Sequence, residues 1–349
     1  MKGRRVTAVV LAYGREPHLR DCIDALLASR DVDLDIVLVD NGANPVSMDL
    51  VRARPRVQVV VPRSNLGYAG GCNLGGHIAS APVLAFVNSD ALVDPHCLAA
   101  LADSVAEPRV GLAAASVRLA DNPGVLNSAG NPVHFLGFSW AGSYGEPADL
   151  HRTPGPVASV SGATFAVRRD VWTQLGGFDD VYFAYGEDVD LSIRCWERGY
   201  RVEFVPQAVS LHFYEFSRNP LKHYLVERNR LVNMLTLFEP STTRWMVAAS
   251  LPVELGLLLV AARDGWSAQK IEGWRWLLRN RDYLRSRRAS VQASRVASDR
   301  EIASLLRGHL DPPQGFGVSV PRFVDTVLTV YWGAARRRLD RRGARRSPR

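Results

Sequence analysis

Cysteine is scarce in this chain and shows no pattern. Cys22, Cys72, Cys97 and Cys195 form no CxxC pair, so neither a zinc ribbon nor a disulfide framework is indicated, and a reducing compartment is the simpler setting. A long apolar run is also missing at the start. MKGRRVTAVVLAYGRE begins like a leader, but its run Val6–Ala12 is short and Arg15-Glu16 follows without a small-residue cleavage site. We read a buried first strand and a cytosolic protein. The GxGxxG fingerprint is absent after that strand, where only Gly14 is available. Charge of one sign is missing from the body. The formal net charge is +8, and Arg336–Arg349 holds eight Arg and one Asp, or +7, which leaves +1 for the preceding 335 residues. A basic nucleic-acid-binding body is therefore not expected, and the positive element is a tail. We find no internal repeat.

What is present suffices for a large core. The 349 residues are 47% hydrophobic and 22% charged, which suits one large or two modest domains and not a disordered chain. In the first half, the strand-like runs VTAVVLAY, DIVLVDNGA, VQVVVP and PVLAFVNSD alternate with helical HLRDCIDALLAS and a helix opened by NLGYAGGCNLGG. Continuous apolar runs suit strands covered on both faces, and the alternation predicts an α/β fold with a mostly parallel sheet. Ligands of such sheets bind beyond the carboxyl ends of the strands, where Asp40, Asn88 and Asp90 fall. Residues 110–160 are rich in Gly, Pro, Ser and Asn and are expected to form irregular strands and loops. After residue 240 the pattern turns to long helices rich in Trp, Leu and Arg.

Several short segments carry chemistry. Asp40 ends the second strand, where its carboxylate can accept from a nucleobase or ribose, or simply close an Asx turn. Asn65–Gly71 offers backbone N–H groups near a helix start, suited to phosphate or sugar; it reads equally as a structural turn. Asn88-Ser89-Asp90 puts a carboxylate at a strand end, where it can hold a hard divalent cation under two phosphates, or be a plain turn. Glu187, Asp188 and Asp190 set three carboxylates in four positions at a helix start. The helix dipole favours acids there. Tyr182, Phe183 and Tyr185 lead in, however, and aromatics beside acids make a platform for a sugar, with a base in reach of its hydroxyl. His212 is either a satisfied structural histidine or an imidazole completing the metal site begun by Asp90. Arg228 and Arg230 either reach a diphosphate or lie on a solvated helix face.

In order, VVLAYGRE, VDNGA, NLGYAGGCN, NSD, SGATFAVRRDVWTQLGGFDDVYFAYGEDVDLSIRCWERGY, and His212 with Ser217 resemble the inverting family 2 glycosyltransferases of GT-A fold, over roughly residues 5–235. The subgroup most similar is the rhamnosyltransferase-like and galactofuranosyltransferase-like enzymes of bacterial envelope synthesis. The resemblance implies Asp188 as catalytic base. It implies donor contacts from Ala12, Tyr13, Asp40, Asn65, Gly70, Asn88, Ser89 and Asp90, and acceptor contacts from Glu187, Tyr185 and Trp196. It also implies a divalent cation, Mg2+ or Mn2+, on Asp90 and His212, a nucleotide diphosphate-sugar donor, and a glycan or polyprenyl-linked acceptor. Two segments depart from the family pattern: Ala12-Tyr13-Gly14 stands for the usual TYN, and NSD for the DXD motif. No QxxRW-type segment or multi-span region of a processive synthase is found. A non-catalytic sugar-nucleotide-binding protein on the same fold is one competing reading, opposed by the intact acids. A nucleotidyltransferase is another, but it wants a Gly-rich, basic loop after the first strand, and AYGREP supplies only Arg15.

The expected organisation is a GT-A catalytic domain over 1–240, a helical, membrane-associated region over 241–335 and a disordered Arg-rich tail over 336–349. The apolar stretch from Trp245 to Ala262 carries Pro252 and Glu254 and falls short of the clean run a spanning helix wants, so a buried or interfacial helix is expected. Trp266, Trp274 and Trp276 stand among Arg275, Arg279, Arg281, Arg285, Arg287 and Arg288. That composition suits a helix on an anionic bilayer, and the tail would add about 1 kcal/mol per arginine near such a surface. A helical cap with a solvated tail is the alternative. The expected location is cytoplasmic and peripheral, on the inner face of a bacterial membrane.

Overall fold

The structure, a computed structural model, describes residues 4–214, 220–312 and 320–344. The chain begins β1 (Arg4–Gly14), α1 (Leu19–Leu27), β2 (Val32–Ala43), α2 (Pro45–Asp49), β3 (Val57–Val60), α3 (Gly67–Ile78), β4 (Val83–Asn88), β5 (Ala91–Val93) and α4 (Cys97–Ala106). There follow β6 (Val110–Leu119), β7 (Asn122–Ser128), β8 (Val133–His134), β9 (Gly155–Pro156), β10 (Thr164–Arg168), α5 (Arg169–Leu175), α6 (Glu187–Glu197) and β11 (Arg201–His212). The last part is α7 (Pro220–Thr236), α8 (Pro240–Arg263), α9 (Ser267–Arg279), α10 (Arg281–Ala293), α11 (Asp299–Ile302), β12 (Leu306–Arg307) and α12 (Arg322–Ala344). Two compact units result. The first takes the described residues within 1–131, 141–195 and 200–215; the second takes those within 132–140, 196–199 and 216–349. The sequence-based boundary at 240 differs from this division, because α7 counts with the second unit.

The first unit is built on a mixed sheet of order β3-β2-β1-β4-β10-β6-β11-β5, with β7 beside β6 and β9 beside β11. β3, β2, β1 and β4 run parallel. β10 is antiparallel to both its neighbours, β11 is parallel to β6 and β5 antiparallel to β11. Val6, Ala8, Val9, Val10 and Ala12 of β1 are all buried, as a strand with helices on both faces requires. The amphipathic α1 buries Leu19, Cys22, Ile23 and Leu26. β6 differs from the irregular chain expected there: it is a ten-residue strand, Val110–Leu119. Its small side chains are a packing requirement. A Cβ on Gly111 would collide with the sulfur of Cys195 and stand 2.8 Å from Cβ of Tyr200. All four cysteines are free and buried, and burial pushes each thiol above its ordinary range.

One aromatic cluster bears directly on the site. Phe86 on β4 stacks on Phe165 of β10 at 4.9 Å and meets Trp172 of α5 at 4.5 Å. Trp172 in turn holds Phe178 edge-on at 5.2 Å. Phe178 belongs to the GGFDD loop before α6, so the core sets where that loop begins. Truncating a side chain as buried as Phe86 costs about 3–5 kcal/mol.

The second unit is helical. Its core includes Trp332 of α12 stacked on Phe135 at 4.9 Å. The short strands β8 and β12 pair beside it. At its centre, Lys270 of α9 is fully buried and bonds Glu227 of α7 at 2.6 Å and Glu254 of α8 at 3.0 Å. Arg230 of α7 bonds the same two carboxylates and the carbonyl of Leu136. Burial alone would raise the Glu227 carboxyl, but Arg230 and Lys270 overcome it and hold it down at about 2. This corrects both readings of Arg230, which is neither a solvated residue nor free for a diphosphate. Arg228 is buried too, over the rings of Tyr224 and Trp276. α8 is the helix, among the described residues, that is long and apolar enough to cross a membrane. α12 runs on to Ala344, so the first part of the expected tail is helical and not irregular; residues 345–349 lie outside the described ones.

Candidate active site

The parallel strands bring three candidate positions to one sheet edge. Ala12 pairs with Asp40, and Leu11 with Asn88. The carboxylate of Asp40 accepts the N–H groups of Gly42 and Ala43 at 3.3 and 3.0 Å and the Arg52 guanidinium at 3.4 Å. The Asx turn is therefore formed. Tyr13 is 57% exposed; its N–H donates to Glu16 at 2.8 Å. Burial raises the Glu16 carboxyl, and the Asp90 charge adds to this against hydrogen bonds from Tyr13 and Ser89. Asn65 accepts from the Asn41 amide at 2.9 Å and the Gly67 N–H at 2.8 Å, and Asn41 in turn accepts the Leu66 N–H. Buried Asn41, missed in the sequence, thus ties the β2 end to the glycine-rich segment. Gly67 has φ of +70°, and a Cβ there would collide with the carbonyl of Phe183. Gly70 is buried on α3. A Cβ on Gly71 or Gly75 would strike Leu11 or Val9 of β1, so most of this glycine content serves close packing of helix on sheet.

Asn88-Ser89-Asp90 is the turn from β4 to β5. Because β5 pairs with β11, His212 lies opposite Ala91, and its Nε2 comes within 3.2 Å of Asp90 Oδ1. Nδ1 lies 3.2 Å from the Asn127 amide oxygen. With the proton on Nδ1 donated to Asn127, Nε2 presents a lone pair beside the carboxylate. A carboxylate and an imidazole so placed suit one divalent cation. Among the described residues no three His, Cys, Asp or Glu side chains gather around a metal position. The Oδ1 of Asn88 is buried without a hydrogen-bond partner. Ser217, noted beside His212 in the sequence, lies outside the described residues.

The acidic cluster opens α6. Phe183 and Tyr185 both have positive φ, +62° and +68°, a conformation costly for non-glycine residues and concentrated at functional sites. The three acids part company here. Asp190 is fully buried and held by Arg194 through two bonds of 2.6 and 2.9 Å; Arg194 also donates to the Gly177 carbonyl. That pair braces the GGFDD loop. Asn73 of α3 closes it from the other side, donating to the Phe178 carbonyl and to Asp180. Among the described residues no cation is bonded to Glu187 or Asp188. Burial, then the charge of Asp188, pushes the Glu187 carboxyl up to about 8. Burial also raises Asp188, opposed by the N–H groups of Val189 and Gly162 and by the Asn131 amide. Both carboxyls therefore hold a proton more readily than ordinary carboxylates do.

Ser161–Ala163 joins the two halves. The Ala163 carbonyl accepts the Asn88 N–H at 2.9 Å. The Gly162 carbonyl accepts the Tyr68 hydroxyl at 2.7 Å, and a Cβ on Gly162 would stand 3.9 Å from Asp188 Oδ2 and 4.0 Å from Glu187 Oε1. One segment thus carries the NSD turn on one flank and the carboxylate pair on the other. Tyr185, 37% exposed, precedes that pair. Trp196 is not brought to it; it sits two turns further along α6 and counts with the second unit.

Carboxylates and an Asp–His pair thus gather at the strand ends of a mixed α/β sheet. Over residues 4–234 the sequence matches the family described as Glycosyltransferase like family 2. The chain belongs to that family and is a glycosyltransferase of GT-A fold. The N-acetylglucosaminyl-diphospho-decaprenol L-rhamnosyltransferase of Mycobacterium tuberculosis is 28% identical over 242 residues, 62% of this chain and 78% of that protein. Among solved structures, GalNAc-T7 with UDP, GalNAc and Mn2+ superposes with a TM-score of 0.59 at 14% identity, over 71% of this chain and 51% of that one. The mannosyltransferase PcManGT of Pyrobaculum calidifontis, with GDP-Man and Mn2+, gives 0.51 at 18% identity, over 84% and 86%. These likenesses speak to the fold.

Proposed function

We propose that this enzyme moves a sugar, rhamnose-like or galactofuranose-like, from a nucleotide diphosphate donor to a glycan or polyprenyl-linked acceptor in cell-envelope polysaccharide synthesis. Configuration inverts at the anomeric carbon in one displacement. The observation that carries this reading is the Glu187–Asp188 pair and the Asp90–His212 pair flanking one segment, Ser161–Ala163. One relative is named an N-acetylglucosaminyl-diphospho-decaprenol L-rhamnosyltransferase, which favours the lipid-linked acceptor.

Asp188 takes the proton of the acceptor hydroxyl. The freed oxygen bonds to the anomeric carbon while the bond from that carbon to the diphosphate oxygen breaks, and the diphosphate leaves with the electron pair. A raised carboxyl is the better base, since its proton affinity lies nearer the working pH. Glu187, holding its proton, keeps a second charge away from Asp188. Tyr185 offers its ring as a face for the acceptor sugar. Asp40 and Asn65 receive the donor base and ribose at the β2 end. Asp90 and His212 would hold the cation, Mg2+ or Mn2+, whose chemistry when bound is neutralisation of the departing diphosphate. A lipid-linked acceptor places the enzyme on the cytoplasmic face of the membrane, where the arginines beyond residue 335 favour anionic lipid.

The test is nucleotide release from dTDP-, UDP- and GDP-sugars, with and without Mn2+, in the presence of a bacterial lipid extract. Release from one donor that needs both metal and extract is expected. Asp90→Ala should weaken Mn2+-dependent nucleotide binding; unchanged affinity would remove Asp90 from the donor site.

A further inference from the structure

The tryptophans expected to face a membrane are half-buried and engaged by neighbouring side chains. Trp274 donates to Glu254 at 2.8 Å, with Lys270 over its ring. Trp276 carries the Arg228 guanidinium, and Trp266 stacks on His223 at 5.1 Å. The exposed apolar residues of this unit lie elsewhere. On α8, Leu251, Leu255 and Leu259 are 63%, 65% and 75% exposed, at a spacing of four that makes one stripe. On α12, Phe323, Val327 and Val330 are 72%, 63% and 64% exposed, again on one face. The two helices meet at Trp245: the Tyr331 hydroxyl donates to its carbonyl at 2.9 Å, and Arg338 lies 5.4 Å from its ring. Val330 adjoins Tyr331, so the exposed face of α12 borders the side that meets α8.

We propose that the outward faces of α8 and α12 seat the protein in the headgroup layer of an anionic bilayer, with α8 lying along the membrane and not across it. The proposal rests on the reading of a membrane-embedded acceptor and adds the surface that meets it. Twenty-four residues make α8 about 36 Å long, enough to cross a bilayer, so length does not decide. Glu254 decides. Its side chain is 12% exposed, lies off the leucine stripe and is bonded to Lys270, Arg230 and Trp274. A spanning α8 would take Glu254 into hydrocarbon and leave fully buried Lys270 short of a counter-charge, a cost an in-plane helix avoids. Charge selects the kind of surface. Arg322–Ala344 carries six Arg against two Asp, and Arg244 and Arg263 bracket the leucine stripe, Arg263 sharing its charge with Asp264. Apolar stripe beside cations is the pattern of an interfacial helix on anionic lipid.

The full chain is floated with vesicles of phosphatidylcholine alone or mixed with phosphatidylglycerol, at about 0.15 M and about 1 M salt, where screening separates charge from apolar burial. Binding to the anionic vesicles is expected, with a fraction that survives high salt and is extracted by alkaline carbonate. Leu251→Glu/Leu255→Glu/Leu259→Glu should lower that salt-resistant binding about tenfold or more, with melting temperature and nucleotide affinity unchanged. Leu255→Cys carrying an environment-sensitive dye should shift to the blue on anionic vesicles only. Binding of the triple variant equal to wild type would overturn the apolar seat while leaving attraction by the arginines intact. Resistance to carbonate would overturn the in-plane arrangement. No vesicle binding by the wild type would overturn both this proposal and the membrane-surface reading. A triple variant altered only in oligomeric state would mark the stripe as a contact between copies and overturn it likewise.

Discussion

Two pairs of buried carboxylates, one in each unit, behave in opposite ways. Glu227 and Glu254 share two cations, Lys270 and Arg230, and Glu227 is held down at about 2. Glu187 and Asp188 adjoin each other with no cation bonded among the described residues, and Glu187 is pushed up to about 8. Burial acts in the same direction on all four; the partners reverse it in one place and add to it in the other. A carboxylate locked by cations stabilises a helix bundle and has little proton affinity left to use. A carboxylate raised by burial and a like charge retains that affinity, as a base requires.

The comparison can be broken at either end. Asp188→Asn removes the proposed base and should lower kcat by about 10²–10⁴, with nucleotide affinity kept; steady-state turnover beside equilibrium nucleotide binding reads both, and near-wild-type turnover would sink the assignment. Lys270→Met leaves two carboxylates with Arg230 alone and should destabilise the chain by about 3–5 kcal/mol, read from denaturant midpoints. A loss under 1 kcal/mol would mean that the clamp is replaceable.

Glu187→Gln sharpens the comparison through pH. The folded Glu187 carboxyl titrates near 8, above the ordinary glutamate value of about 4.3. Between those values the folded chain keeps a proton that the unfolded chain releases. This contribution to stability is full below the unfolded value and is lost as pH rises through 8. Melting temperature should therefore fall less steeply from pH 5 to 8 in the variant than in the wild type. Equal slopes would deny the proton on Glu187. The smallest effect is expected at the surface, where Arg279 pairs with Glu272 while 70% exposed. Arg279→Ala should change stability by no more than about 0.5 kcal/mol, again by denaturant midpoint.

Much of the first unit is legible because its strands are apolar runs and its helices amphipathic. The acids at strand and helix ends are legible as well: Asp90 and Asp188 are short polar breaks in apolar context. Other parts resist sequence reading. β6 looks irregular because Gly111 and its alanines are small, and only the proximity of Cys195 and Tyr200 explains why they must be. Asn41, Asn73, Asn127 and Asn131 organise the site through amide hydrogen bonds, yet an asparagine in a loop carries no sign of its distant partner. Trp196 fails to join the candidate site for a geometric reason: residues eight apart on a helix lie about 12 Å apart along its axis.

The sequence alone determined the alternation of strands and helices, the family, and the carboxylates at strand and helix ends, because periodicity and motif spacing are local properties. Only the tertiary structure decided which acids take a cation as partner. Asp190 and Glu187 are near neighbours in the chain, but Arg194 reaches the first and not the second. The same holds for Arg230 and Trp274, read from composition as diphosphate-reaching or solvated and as interfacial. Their roles follow from Glu254 and Lys270, sixteen residues apart and bonded at 3.0 Å. Such pairings depend on how the helices pack, and a buried charge takes its meaning from the partner that packing brings to it.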